Sequence, residues 1–199
     1  MFSLDISART GRSHVPYLRK HLPRAHRLLK APLREMSLAL VGDRRMAELH
    51  QRFMGIAGAT DVLTFELDHD ERGRVTAGEV VVCVPHAVRQ ARRTGIAVRK
   101  ELLLYGLHGM LHLCGFDDRT ARDFAVMHER EDDILKKLGV GVVFARNDSG
   151  KDRTTSEGSA STSAASFENA STRSREAGKN VCPTGEMPPR RGGRREDGR

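Results

Sequence analysis

The stretch His108-Gly-Met-Leu-His-Leu-Cys-Gly-Phe-Asp-Asp118 closes a long apolar segment and carries two histidines four residues apart. On a helix that spacing puts both imidazoles on one face. Gly115 follows three residues after His112, where a left-handed cap would turn the chain, and Asp118 lies six after His112, where it can swing back toward that face. Two imidazole nitrogens and one carboxylate oxygen around an open position make the donor set of a catalytic metal site. His-x-x-x-His alone is a weak signal, because buried histidines commonly satisfy other polar groups. The apolar helix, the turn and the carboxylate together point to metal ligation by His108, His112 and Asp118. A zinc peptidase of this spacing carries Glu directly after the first His as general base, and Gly109 stands there instead. That disfavours a peptidase. Hydrolysis of a phosphodiester, for which a metal can both activate water and neutralise a phosphoryl oxygen, stays open.

Outward from this stretch, 99–113 is the most apolar helical segment of the chain, with Leu102, Leu103, Leu104, Leu107, Leu111 and Leu113 leaving little of it polar. It should be buried nearly all round. Glu101, seven residues before His108, is either a partner for a ligand histidine or a residue at the core's edge. Downstream, Thr120 and Asp123 resemble a capping box for a helix reaching Leu138, with Phe124, Met127, Ile134, Leu135 and Leu138 inward. The apolar segment 140–144 is a final strand or a docked end of the domain.

Upstream, 79–84 is a continuous apolar run and reads as a central strand stopped by Pro85. A helix over 87–94 then ends at Gly95. Residues 60–67 read as a strand, and 62–67 forms a hairpin with 79–84 across the polar turn 68–74. Residues 2–6 and 36–41 alternate as strands, and Asp43 is placed to cap a helix reaching Phe53. Segment 14–30 has Val15, Leu18, Leu22, His26 and Leu29 at helical spacing, with Pro23 a point of kinking or splitting. Its other face, with Arg19, Lys20, Arg24, Arg27 and Lys30, is either a solvated face or a surface for phosphates. His50 and His128 fall on amphipathic helices as surface or half-buried residues; His86 has no case as a ligand. The class is α+β: a small mixed four-stranded sheet covered by about five helices, with a disordered C-terminal tail.

The tail is read from composition. Of 199 residues, 1–145 form one domain, and 146–199 are Ser, Thr, Gly, Arg and Glu with little to bury. The formal net charge is +8; the tail holds 11 Lys+Arg against 8 Asp+Glu, leaving 23 against 18 on the domain. A basic domain is compatible with a polyanionic partner without requiring one. Cys83, Cys114 and Cys182 are far apart, which argues against a disulfide framework and a cysteine-rich zinc module. No apolar stretch is long enough to span a membrane, and the N-terminal segment lacks a signal-peptide core, so a cytoplasmic location is expected.

The stretch from His108 to Asp118 resembles the H-G-x-L-H-L-x-G-[YF]-D-H signature of the YbeY family of bacterial endoribonucleases and rRNA maturation factors. Thr60-Asp-Val-Leu-Thr-Phe65 resembles that family's T-[DN]-V-L-S-F strand, and Gly78-Glu-Val-Val-Val-Cys83 its G-D-I-V-I-C strand. The resemblance covers about residues 1–140. It implies one zinc ion, a water activated by it, single-strand-specific endonuclease action in late small-subunit (16S) rRNA maturation and ribosome quality control, and rRNA and the small ribosomal subunit as partners, with no membrane and no nucleotide cofactor. Under it the basic helix, with Arg24 and Arg27, becomes part of an RNA-facing surface.

This chain departs from the family pattern twice. Asp118 stands where the family's third ligand is His. Carboxylate is a competent zinc ligand, but its charge makes the metal a weaker Lewis acid. Asp117 is the adjacent alternative, at a position the family does not use for ligation. Phe53-Met-Gly55 stands where the family has Tyr-Arg-Gly, so an arginine expected to face phosphate is Met54, and Arg52 is either its substitute or a solvated residue. These departures motivate an alternative reading: a ribosome-assembly factor with structural zinc and weak or absent nuclease activity.

Overall fold

A computed structural model of the chain describes residues 1–141. The composition-defined tail 146–199, and residues 142–144 of the last apolar segment, lie outside the described residues. Four strands, β1 (Ser3–Ala8), β2 (Glu35–Val41), β3 (Val62–His69) and β4 (Val75–Cys83), form one sheet in the order β1-β2-β4-β3. β1 with β2 and β2 with β4 pair parallel; β3 with β4 is the expected antiparallel hairpin. The helices are α1 (Val15–Leu29), α2 (Asp43–Met54), α3 (Val84–Thr94), α4 (Val98–Leu113) and α5 (Ala121–Lys137).

The alternation along β2 and β4 divides the core. Leu38, Leu40, Val80 and Val82 face the larger cluster with Leu18 and Leu22 of α1, the leucines of α4, and Met127, Ile134 and Leu135 of α5. Val41, Leu63, Val81 and Cys83 face Met46 of α2 on the other side. Every residue of α4 from Glu101 to Leu113 is buried. Such a helix must lie very close to the sheet. A Cβ at Gly109 would sit 2.6 and 2.8 Å from the two Val80 methyls, and one at Gly78 would sit 2.4 Å from a Leu113 methyl. These two glycines let α4 settle onto β4.

Several local expectations are revised. α1 runs unbroken past Pro23. Gly42, not Asp43, is the N-cap of α2, without a side-chain cap bond. The Asp43 carboxylate instead accepts two bonds of 2.9 Å from Arg89 and one from the Cys83 thiol. Pro85 does more than stop β4, because it sits in the first turn of α3, where its missing N–H costs nothing. Phe124 is 36% exposed rather than inward, and His50 and His128 are buried.

Gly109→Ala should destabilise the protein by about 1–3 kcal/mol, since Val80 is stiff and its two methyls cannot both turn away. Urea unfolding of the two proteins checks this, and equal midpoints would contradict the close-approach argument.

Candidate metal centre

His108 and His112 lie one turn apart at the C-terminal end of α4, both buried. The helix ends in a Schellman turn: Gly115, at φ 89°, donates its N–H to His112 O at 2.9 Å, and Phe116 donates to Leu111 O at 3.1 Å. The reversal brings the Phe116 carbonyl onto His112 Nδ1 at 3.0 Å and carries the chain back to Asp118. Asp118 Oδ2 lies 3.7 Å from His108 Nε2, and its Oδ1 lies 3.9 Å from His112 Nε2. The neighbouring Asp117 is turned outward, with Arg119 on Oδ2 at 2.5–2.6 Å and the Asp118 N–H on Oδ1. Of the two candidate carboxylates, Asp118 is the one brought to the histidines.

One atom of each of His108, His112 and Asp118 falls within 4.8 Å of the others. The tautomers test whether a cation fits. His112 Nδ1 faces a carbonyl and must donate; His108 Nδ1 faces the Glu131 carboxylate at 2.8 Å and donates as well. In neutral rings both Nε2 lone pairs then point inward, and these atoms are 3.0 Å apart. Lone pairs at that distance need a proton or a metal ion between them. A tetrahedral zinc ion sets its ligands about 3.3 Å apart, close to the separations found. The three side chains could hold a divalent cation.

Ionisation follows the same geometry. Burial depresses the His108 imidazole, but the Glu131 carboxylate and nearby Asp118 and Asp61 outweigh it and raise its pKa. Burial and the neighbouring His108 push His112 down to about 4. Burial, reinforced by Asp117, raises the Asp118 carboxyl against the pull of His108. A cation binding between the two Nε2 atoms would displace any proton held there.

The sequence reading missed Glu131. It lies on α5, 23 residues beyond His108, and its two oxygens take His108 Nδ1 at 2.8 Å and His128 Nδ1 at 2.6 Å. Burial would raise this carboxyl, but the two imidazoles lower it overall. The available signal was periodicity: Met127, Glu131, Ile134 and Leu135 share the inward stripe of α5, so an acid stood at a core position. Glu101, the carboxylate singled out instead, interacts with the Tyr105 hydroxyl; its Oε2 is buried without a hydrogen-bond partner among the described residues. His86 lies 3.3 Å from that hydroxyl, and His50 lies 3.0 Å from the Gly58 carbonyl; neither joins the centre. The Cys114 thiol, pushed up to about 12 by burial, is not part of the group formed by His108, His112 and Asp118.

The other named residues fall outside the group formed by His108, His112 and Asp118. Met54 packs on the cluster under α2. Arg52 is exposed, its guanidinium 5.4 Å from the Phe53 ring centroid, and Phe53 is 45% exposed. Arg24 and Arg27 lie on α1, half-buried and exposed respectively. Gly109, where a peptidase has its base, faces Val80 and Thr64. A side chain there would run into the sheet.

Residues 12–139 match the family model described as Endoribonuclease YbeY. A protein of that name from Moorella thermoacetica is 37% identical over 115 residues, 53% of this chain and 74% of the relative. Another, from Thermobifida fusca, is 36% identical over 145 residues, 67% of this chain and 92% of the relative. The solution structure of a Thermotoga maritima protein aligns with TM-score 0.51 and 25% identity, covering 78% of this chain and all of that one.

Glu101 yields a pH prediction. Burial, with Asp61 nearby, raises its pKa from 4.5 to about 7. The folded protein therefore keeps a proton that the unfolded chain releases, and stability contributed by this residue falls as pH rises through that window. Glu101→Gln should be near neutral at pH 4.5 and stabilising above pH 7, by on the order of 1–3 kcal/mol. Denaturant midpoints across pH check it, and a pH-independent difference would contradict it.

Proposed function

The chain belongs to the YbeY family, and from that premise we propose that it is a zinc-dependent, single-strand-specific endoribonuclease acting on rRNA of the small ribosomal subunit. The observation that carries this reading is the inward convergence of His108 Nε2, His112 Nε2 and the Asp118 carboxylate, with both Nδ1 atoms engaged. A zinc ion held by these three side chains would supply Lewis acidity toward a phosphoryl oxygen and a means of activating water for attack on the phosphodiester. The chain's own contribution is to fix the tautomers. The Phe116 carbonyl and Glu131 hold the two Nδ1–H groups, and burial of the ligands limits competing water.

RNA contact is supported by charge and by aromatic exposure. α1 contains four Lys/Arg and no acid, and none of Arg19, Lys20, Arg24 and Arg27 is in a salt bridge among the described residues. Phe124 is exposed at the start of α5, with its ring 4.0 Å from that of His128, one imidazole away from His108. An exposed ring at the margin of the centre suits an unpaired base, which has a free face to stack, and not a duplex.

One observation favours a second reading. Met54 fills an apolar cluster where the family places a phosphate-facing arginine, and Asp118 weakens the metal as an acid. A ribosome-assembly factor with structural zinc and little nuclease activity follows from those two features.

Incubating the full chain with zinc and a single-stranded rRNA fragment, beside the same sequence as a duplex, separates the readings. Cleavage of the single strand, abolished by a chelator and reduced at least about 100-fold in His108→Ala, is expected. Zinc-loaded protein that cleaves no faster than His108→Ala would leave only the assembly-factor reading. In binding measurements against salt, Arg24→Gln with Arg27→Gln should reduce the slope of log K by about 0.7 per arginine. An unchanged slope would remove α1 from the RNA surface.

A further inference from the structure

We propose that Glu131 is the positioning residue for His108, and that His128 holds it in place, so that metal affinity depends on a helix that carries no ligand. The inference rests on the metal reading above.

Glu131 is 0% exposed, and both its oxygens are occupied by imidazole nitrogens from different helices. His108, His128 and Glu131 form a closed row between α4 and α5, the two rings lying 6.3 Å apart at 22° on either side of the carboxylate. Packing alone does not call for this row. Three ionisable side chains withdrawn from water are costly, and an apolar residue of similar volume at such a position is commonly neutral or stabilising. Helix α5 already has Met127, Ile134 and Leu135 for packing.

What the carboxylate adds is direction. An acceptor on Nδ1 forces the His108 proton to that side and leaves Nε2 as a donor atom toward His112 and Asp118. His112 achieves the same with a backbone carbonyl of its own turn. His108 cannot, because it lies within the helix, where the carbonyls are taken by the backbone ladder. Its acceptor has to come from another element. An anion there also balances charge: Asp118 and Glu131 together match one divalent cation, among side chains that are themselves buried.

Chelator competition on the metal-stripped full chain, with zinc as the probe, tests this. A glutamine at 131 presents one oxygen and one NH2 group, so it cannot accept from both imidazoles. Glu131→Gln should weaken zinc about 10–100-fold, and His128→Leu, which leaves the carboxylate but removes the donor to its far oxygen, about threefold or more. The melting temperature of the metal-free proteins is read alongside, because a packing role would lower it and leave the affinity of the folded fraction unchanged. A folded Glu131→Gln protein with wild-type affinity overturns the proposal. Should that variant not fold, wild-type affinity in a folded His128→Leu protein overturns it. Wild-type protein that takes up no zinc is a different failure, since it removes the metal reading itself.

Discussion

The contact on which the rest depends is the seating of α4 on the hairpin strands, helix backbone against the Val80 and Thr64 side chains at Gly109 and the Leu113 side chain over strand backbone at Gly78. A helix buried all the way round has no polar face to spare, so its two histidines cannot turn to solvent. They must find partners inside, and the fold supplies them from three directions: the helix's own C-terminal turn, the segment that follows it, and α5. Had Gly109 carried a side chain, α4 would have to stand off from Val80, and the histidines would shift away from Asp118 and Glu131. The glycine that takes away a peptidase's base is the same one that lets the helix approach the sheet.

Electrostatics then accounts for how the interior tolerates so many ionisable groups. Two imidazoles and two carboxylates lie together, with a third imidazole, His128, beyond Glu131. Each is costly alone. Their arrangement lets a proton or a divalent cation balance the negative charges, with Glu131 serving two histidines at once. The Asp118 carboxylate makes this centre one negative charge richer than a site with three imidazoles. That would favour retention of a cation and work against its acidity, so metal affinity and catalytic strength are separate questions at this centre.

Much of this was legible in the sequence, for identifiable reasons. The pair His108 and His112, the glycine turn and Asp118 all lie within eleven residues, so helical geometry and one cap determine their proximity. The β3–β4 hairpin could be read because an alternating strand and a continuous apolar run flank a polar turn. The β1-β2-β4-β3 order could not, because parallel pairing through α1 and across the hairpin depends on which faces pack. Glu131 was missed because its partner is 23 residues away on another helix, and Glu101 drew attention merely by sharing the helix with the histidines. Asp43 looked like a cap from its position, but Arg89, 46 residues away, offered a stronger partner. Local chemistry reads well from sequence; contacts between elements do not.

The central claim is that His108, His112 and Asp118 gather one metal ion. X-ray absorption at the zinc edge of the loaded full chain tests it directly, because imidazole rings leave a distinctive outer-shell scattering pattern. The account predicts two imidazoles with light oxygen donors completing the shell, one imidazole in His112→Ala, and no sulfur. A sulfur ligand, or an unchanged imidazole count in that variant, would place the metal elsewhere and contradict it.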